Sequence, residues 1–247
     1  FCLLGALTLT TACGDDDDDT PGNGTSATAS DLVGTWSLNG VTYVFTDNTL
    51  TINDNDRQTF QGTYVCSGDK LVYTTENDGQ PYTTTAIMKF LYNKSVLVLK
   101  TVPDWADDYS LADVAEVLYK DGKAPVTPVE DIQGTWHWYM QGDESNIRTG
   151  VIITGNRIEI IVTPWGVRYV GTFTYKGGFL NLDITDCYRA RNADGYSGID
   201  AATLELEEGV YWEPGGEFSL DPVMQFIAGD GEAYGVVANL PAIFVKK

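Results

Sequence analysis

Hydrophobic and polar residues alternate in short runs along most of this chain, and turn-forming residues separate the runs. Residues 41–45 alternate up to Asp47 and Asn48, which supply a turn before the next run at 49–52. This period of two predicts a β-hairpin. The same pattern predicts further hairpins, whose turns lie at 67–69, 93–94, 155–156 and 177–178. Consecutive hairpins without helices between them indicate a meander, and about eight such strands close into a small barrel without free edges.

Four segments of the first half recur in the same order in the second half. The sequence DLVGTW at 31–36 returns as DIQGTW at 131–136, and GTYVCSGDKL at 62–71 returns as GTFTYKGGFL at 171–180. Weaker matches join 45–52 to 153–160 and 116–120 to 242–246. Matches in one order indicate two copies of one supersecondary unit. We therefore expect an all-β protein with two tandem, small, antiparallel meander barrels at 31–120 and 131–247, joined by a stiff, proline-containing linker at 121–130.

The first 30 residues differ in character from the rest of the chain. Their apolar run of about 12 residues has the length of a signal-peptide core and is too short to span a membrane. Small residues lead from this run into Cys13, and Gly14 and five acidic residues follow: Asp15, Asp16, Asp17, Asp18 and Asp19. We expect residues 1–12 to be a signal-peptide remnant and residues 13–30 to be an acidic, flexible tether.

Residues 10–13 resemble the lipobox of bacterial lipoproteins, in which the cysteine thiol receives a diacylglycerol. The resemblance implies a lipid anchor on Cys13, with an ordinary secretory signal as the alternative. The aspartates that follow resemble the export tags of Gram-negative surface lipoproteins. They imply a protein that is anchored by lipid in the outer membrane and displayed at the cell surface, with the inner face of that membrane as the alternative.

Composition excludes several classes of partner and of chemistry. The chain carries 15 Lys and Arg against 35 Asp and Glu, and its net charge of −20 argues against nucleic acid and anionic membrane surfaces as partners. With a single histidine and no Cys-x-x-Cys pair, the sequence indicates no metal site of those types. Nucleophile and nucleotide-binding motifs are missing as well. We therefore expect no catalytic residues, no metal and no cofactor.

His137, Cys66 and Cys187 each have a predicted place in the fold. His137 follows Trp136 on a strand, so its side chain is expected on the opposite face. Cys66 and Cys187 fall in different units. Two buried free thiols are the simpler interpretation, and a disulfide between the units is the alternative.

Each of the two meanders opens with the sequence Gly-Thr-Trp, at Gly34 to Trp36 and at Gly134 to Trp136. This placement resembles the lipocalin family, and more closely the short lipocalin-like domains of bacterial surface lipoproteins. The resemblance implies that each tryptophan closes one end of a barrel beneath a basic side chain from the last strand. Lys120 and Lys246 hold that place here.

The second unit is longer than the first, and we place its additional residues in loops at 188–216 and 227–235. Loops on a rigid scaffold often carry binding residues. The candidate contacts are aromatic residues in polar stretches, for which core packing is the alternative: Trp165, Tyr188, Tyr196, Tyr211, Trp212 and Tyr234. In the first unit, we expect residues 105–115 to form one helical turn or a lid before the last strand.

Two functions follow from these features. The first is a binding protein for a small apolar or amphipathic ligand inside a barrel, with the longer second barrel as the expected site. It requires that inward positions leave room, and the residues expected there are Val44, Leu50, Ile158, Ile160 and Leu182. The second is an interaction module with filled barrels, whose loop aromatics stack on a glycan or contact a protein. The sequence indicates no oligomeric state.

Overall fold

The computed structural model describes residues 28–54, 58–77, 79–101, 114–140, 143–190, 203–205, 209–212, 220–237 and 240–247. Within these residues the protein is all-β, with two antiparallel barrels in tandem, so the predicted fold class is confirmed. No helix in these ranges is long and apolar enough to cross a membrane. Several predicted features lie outside the described residues: the signal remnant, Cys13, Asp15 to Asp19, Tyr196 and most of 105–115.

The first barrel consists of eight strands, each antiparallel to the next. They are β1 (Gly34–Leu38), β2 (Val41–Phe45), β3 (Thr49–Asp54), β4 (Gln58–Ser67), β5 (Lys70–Asn77), β6 (Gln80–Leu91), β7 (Val96–Thr101) and β8 (Val114–Lys120). β1 also pairs with β8, with Trp36 opposite Lys120, and this pairing closes the sheet. A four-residue helix, α1 (Ala29–Leu32), precedes β1.

The second barrel repeats this order with one interrupted strand. Its strands are β9 (Gly134–Met140), β10 (Asp143–Thr154), β11 (Arg157–Val162), β12 (Val167–Lys176), β13 (Phe179–Ala190), β14 (Gly209–Trp212), β15 (Val223–Gly229), β16 (Glu232–Val237) and β17 (Leu240–Lys246). β17 pairs with β9 and β12 pairs with β13, so this sheet closes too. β14 and β15 pair with opposite ends of β13 and together take the place of β6.

Inward side chains alternate along the strands and build one core in each barrel. Leu50 belongs to the core of the first barrel, Ile158 and Ile160 belong to that of the second, and Leu182 packs against the second. Val44 was expected inside but lies on the outer side of β2, because its neighbours Tyr43 and Phe45 are the ones that point into the core. The three consecutive apolar residues 43–45 fit either phase of the alternation, which is why the sequence pattern gave the wrong face.

Two equivalent glycines allow neighbouring strands to approach closely. Gly62 lies on β4 and Gly171 lies on β12, at matching positions of the repeat. A Cβ atom on Gly62 would lie 1.9 Å from the carbonyl oxygen of Thr74, and one on Gly171 would lie 2.2 Å from that of Asp183. Because both obstacles are backbone atoms, a larger residue could fit only if the strands moved apart. The recurrence of this glycine in the sequence therefore has a steric cause.

An apolar interface joins the outer faces of the two barrels. It contains eight buried residues, five from the first barrel and three from the second: Leu91, Val96, Val98, Val117, Tyr119, Ile227, Tyr234 and Ile243. Leu91 fits against Gly229, where an added Cβ atom would lie 2.5 Å from Leu91 Cδ2. Tyr119 donates a hydrogen bond of 2.8 Å to the carbonyl oxygen of Gly177 across the interface. Interdigitation of this kind couples the two barrels mechanically.

A group of charged residues borders the same interface. Glu232 of the second barrel accepts two hydrogen bonds of 2.6 Å from Lys100 Nζ of the first and lies 3.4 Å from Lys89 Nζ. Burial by itself would raise the pKa of Glu232. The hydrogen bonds from Lys100 and Tyr234 and the charges of Lys100 and Lys89 more than offset burial, so its pKa lies below the usual glutamate value.

Tyr234 was predicted to be a loop residue that contacts a ligand, and this prediction was wrong. Residues 227–235 do not form a long loop; they belong to the hairpin of β15 and β16, which turns at Asp230 and Gly231. Tyr234 is fully buried between the barrels, where its hydroxyl donates to Glu232. The Gly, Asp and Glu residues that suggested a loop supply a tight turn and an interface ion pair instead.

Candidate ligand site at the mouth of the first barrel

The Gly-Thr-Trp segments close one end of each barrel. Trp36 and Trp136 are at most 1% exposed. Their indole Nε1 atoms donate hydrogen bonds to the carbonyl oxygens of Leu32 (2.7 Å) and Ile132 (2.8 Å), each four residues earlier in the chain. The buried N–H is thus satisfied within its own segment, and Leu32 and Ile132, two residues before the glycine, are fully buried in the same cores.

Lys120 and Lys246 lie over these tryptophan rings. The Nζ atoms are 5.5 Å from the ring centre of Trp36 and 5.2 Å from that of Trp136, distances at which a cation is attracted to an aromatic face. Gly134 leaves room for the lysine, because an added Cβ atom would lie 3.1 Å from Lys246 Cε, and its φ of +121° disfavours other residues. The repeated Gly34, Trp36 and Lys120 set has the geometry of a structural plug rather than of a ligand contact.

The opposite end of the first barrel, where β1, β3, β5 and β7 finish, contains a cavity of about 310 Å³. We call it the mouth cavity. Six of its lining residues are aromatic or aliphatic, and the other four are polar. The full lining is Val41, Tyr43, Ile52, Asp54, Phe60, Tyr73, Thr75, Tyr82, Thr84 and Glu116. They come from inward positions of β2 to β6 and of β8. The volume is at the lower end of the range for small-molecule sites, so the cavity suits a ligand of modest size.

Glu116 gives the mouth cavity an inward-facing carboxylate. It shares the inner face of β8 with Leu118, and its Oε2 accepts a 2.6 Å hydrogen bond from the hydroxyl of Tyr43. The carboxylate still reaches water at the open end. The pKa of Glu116 is raised overall. Desolvation by the barrel wall is the largest cause; the hydrogen bond from Tyr43 acts in the opposite direction, and the nearby charge of Asp54 adds to the increase.

Two buried tyrosines complete the polar arrangement around this carboxylate. Burial, followed by the charge of Glu116, raises the pKa of both Tyr43 and Tyr73 above the ordinary tyrosine value. Both hydroxyls therefore keep their protons, and the hydroxyls of Tyr43 and Thr84 lie near enough to that of Tyr73 to lower its pKa in part. The hydrogen bond from the Tyr43 hydroxyl holds the Glu116 carboxylate in place, with the Tyr73 ring buried beside it.

The inside of the second barrel is occupied by large side chains. Trp136 packs edge-on against Phe226 with ring centres 5.7 Å apart, and Phe226 lies 5.4 Å from Phe244. Trp138 is also buried in this core and lies 6.5 Å from Phe244. The cavity described above therefore belongs to the shorter barrel, whereas the sequence directed attention to the longer one.

Two of the predicted aromatic contacts meet on the outside of the second barrel. Tyr188 lines a groove of about 630 Å³, and its ring packs edge-on against exposed Tyr211 with the ring centres 6.1 Å apart. The rest of the groove is mostly polar: Asn156, Arg157, Arg168, Val170, Gly171, Thr172, Thr185 and Asp186. Glu159 bridges the two arginines. This groove is a second concave surface, distinct from the mouth cavity.

The remaining candidates are more dispersed. Trp165 ends the 3₁₀ turn Thr163–Trp165 and packs, partly buried, against the second core. Trp212 is the last residue of β14, opposite Cys187. His137 lies on the face opposite Trp136, as predicted, half-buried beside Tyr139.

Cys66 and Cys187 are free thiols in separate barrels, as the simpler interpretation predicted. Cys187 is buried and Cys66 is half-buried, and burial raises the pKa of both thiols. Among the residues that the structure describes, no group of three or more His, Cys, Asp or Glu side chains is placed to hold a metal ion.

Comparison of the chain with protein-family models, with curated proteins and with solved structures finds no match.

Proposed function

We propose that this protein is a lipid-anchored lipoprotein of the outer membrane, displayed at the cell surface, whose two lipocalin-like barrels serve binding rather than catalysis. The ligand is a small amphipathic molecule, and its site is the mouth cavity of the first barrel. The observation that carries this proposal is the cavity of about 310 Å³ that opens at the end opposite the Trp36 plug. The second barrel, whose described core is built from large aromatic and aliphatic side chains, supports the first through their shared interface.

The lipocalin-like assignment is supported by the plug in each barrel. A glycine–tryptophan pair at the first strand and a lysine from the last strand form one unit in both copies. The geometry around the Gly-Thr-Trp segments thus supports the family resemblance that these three residues indicated. An eight-stranded barrel of this kind has an interior that is either filled or large enough for one small ligand.

A neutral probe tests the proposed site. N-phenyl-1-naphthylamine, which fluoresces in apolar surroundings, should bind wild-type protein with one site per chain. Thr84→Phe places a ring inside the mouth cavity and should abolish binding, whereas Thr85→Phe, on the outer face of the same strand, should leave it intact. Absence of a saturable signal with wild type, or equal binding by both variants, would overturn the proposal.

The anchor is tested separately in cells. Cys13→Ser should move the protein from the membrane fraction to the soluble fraction, because the thiol that would carry the lipid is gone. Replacement of Asp15 to Asp19 by Asn should leave the protein membrane-bound but protect it from protease added to intact cells. Membrane attachment of Cys13→Ser would contradict the lipid anchor.

A glycan-binding role on the outside of the second barrel is the second candidate. The groove beside half-buried Tyr188 and exposed Tyr211 supports it, since aromatic rings next to amide, carboxylate and guanidinium groups suit stacking on sugars and hydrogen bonding to their hydroxyls. A glycan array should then give hits with wild type that Tyr188→Ala loses. An array without hits would eliminate this candidate.

A further inference from the structure

Among the residues that the structure describes, the charged groups that line the mouth cavity are of one sign. Glu116 and Asp54 are the ionisable groups other than tyrosine among its lining residues, and no Lys or Arg is among them. Lysines of this barrel lie elsewhere: Lys89 and Lys100 face the second barrel, and Lys120 covers Trp36. These two carboxylates attract cations and repel anions.

Glu116 is incompletely compensated. Within the described part of the chain it receives the hydrogen bond from Tyr43 but forms no ion pair, whereas Glu232, Glu159 and Asp31 each have a basic partner. Glu116 is exposed at the open end of the barrel, so its carboxylate meets water on one side, while the wall on the other side raises its pKa. With no basic side chain of the described chain beside it, the carboxylate is free to pair with a cation that enters from the open end.

Aromatic rings form the rest of the binding surface. Tyr43, Phe60, Tyr73 and Tyr82 contribute four rings to the lining of a cavity of about 310 Å³. Aromatic faces attract ammonium groups, and the attraction is strongest where water is partly excluded. Rings and carboxylates together suit a molecule that is positively charged at one end and apolar at the other.

We infer that the ligand of the mouth cavity is a small organic cation, an amine whose ammonium group lies between the carboxylates of Glu116 and Asp54 and the surrounding tyrosine rings. This inference rests on the proposed function and names the ligand class of the same site. The apolar part of the amine contacts Val41, Ile52 and Phe60. A primary or secondary ammonium group donates hydrogen bonds to Glu116, which keeps its bond from Tyr43.

Three matched probes test the charge requirement by isothermal titration. 2-Phenylethylamine, 2-phenylethanol and phenylacetate share a phenyl ring on a short stem and carry positive, neutral and negative end groups at neutral pH. Wild-type protein should bind the amine at least about tenfold more tightly than the alcohol, because a charge-assisted hydrogen bond replaces a neutral one. Phenylacetate should bind most weakly, since it meets two like charges.

Matched variants locate the effect at Glu116. Glu116→Gln keeps the size of the side chain and should weaken amine binding about 10- to 100-fold while changing alcohol binding little. Glu76→Gln, the same substitution on an exposed residue of β5, should leave both affinities unchanged and controls for general attraction to an acidic protein. Near-UV circular dichroism verifies that each variant is folded.

The pH dependence provides another readout. Among the described residues, the titratable groups that face Glu116 are Tyr43 on β2, Asp54 on β3, Tyr73 on β5 and Tyr82 on β6. Below about pH 8, where an alkylammonium keeps its proton, amine affinity should rise with pH as Glu116 ionises. The rise should centre above the usual glutamate pKa of 4.5, because the wall raises the pKa of Glu116, and Glu116→Gln should reduce the rise.

The outcomes separate this inference from the function on which it rests. If the alcohol binds as tightly as the amine, or if Glu116→Gln leaves amine affinity unchanged, the cationic ligand class is wrong and the mouth cavity remains a ligand site. If N-phenyl-1-naphthylamine and all three phenyl probes fail to bind wild-type protein, both proposals are wrong. Tighter binding of the amine, lost in Glu116→Gln and kept in Glu76→Gln, supports both.

Discussion

Truncation of Leu91 to alanine tests whether the two barrels behave as one thermodynamic unit. Leu91 is fully buried at the interface and packs against Gly229, which has no side chain that could move into the space. Leucine-to-alanine changes in well-packed cores cost about 2–5 kcal/mol, and the cost is higher where the surroundings cannot collapse. We therefore expect Leu91→Ala to lower the free energy of unfolding by about 3–4 kcal/mol.

Urea unfolding with hydrogen exchange read by mass spectrometry measures this effect in each barrel separately. Peptides from β1 and β9 should lose protection together in wild type, and Leu91→Ala should shift both transitions. Val65→Ala is the control, because Val65 lies on the outer face of β4 and is 69% exposed, so its loss should cost less than about 0.5 kcal/mol. A change below about 1 kcal/mol in Leu91→Ala, or a shift confined to the first barrel, would refute the coupling.

Three other predictions concern the repeat and the interface. Gly62→Ala and Gly171→Ala should each destabilise the protein by about 1–3 kcal/mol in thermal unfolding, because the added methyl group would clash with backbone atoms of the neighbouring strand. An unchanged stability at either site would show that the strands can separate freely. Trp36→Phe should cost about 1–3 kcal/mol in urea titrations, because the carbonyl of Leu32 loses its donor in a buried site, and an unchanged midpoint would contradict this role. The pKa of Glu232 is lowered in the folded protein, so its contribution to stability is complete above the usual value of 4.5 and is lost as the pH falls through the lower folded-state pKa. Glu232→Gln should therefore flatten the acid side of the curve of stability against pH. A curve identical to that of the wild type would argue against the ion pair.

The sequence predicted the architecture because the repeat and the turns are local signals. Gly-Thr-Trp at two places, together with Asx and Gly turns between apolar runs, was sufficient to divide the chain into two meanders. The strand phase was predictable only where one face is clearly polar. It failed at Val44, where apolar residues occupy both faces of β2.

The interface between the barrels was not predictable, because its residues resemble those of an ordinary strand. Val96 to Leu99 is apolar on both faces, one of which fills the first barrel while the other packs on the second. Continuous apolar runs of this kind indicate burial on both sides but do not identify the partner. Tyr234 was misassigned for the same reason, since its polar neighbours serve a contact with a distant segment.

The mouth cavity was missed because its residues are spread over six strands. One signal was present: Glu116, Leu118 and Lys120 share a phase along the last strand, so an inward Leu118 also turns Glu116 inward. An acidic residue at an inward position is unusual enough to mark a site. In the sequence, the tyrosines around Glu116 have the pattern of ordinary core residues. Only the closed barrel brings them together at one end.

Calorimetric titration of 2-phenylethylamine into the wild-type protein and into Thr84→Phe tests the central claim most directly. The account predicts one saturable site per chain, although the chain contains two barrels, and loss of that site when a ring fills the mouth of the first barrel. Two sites per chain, or binding that Thr84→Phe leaves unchanged, would show that the ligand does not bind in this cavity.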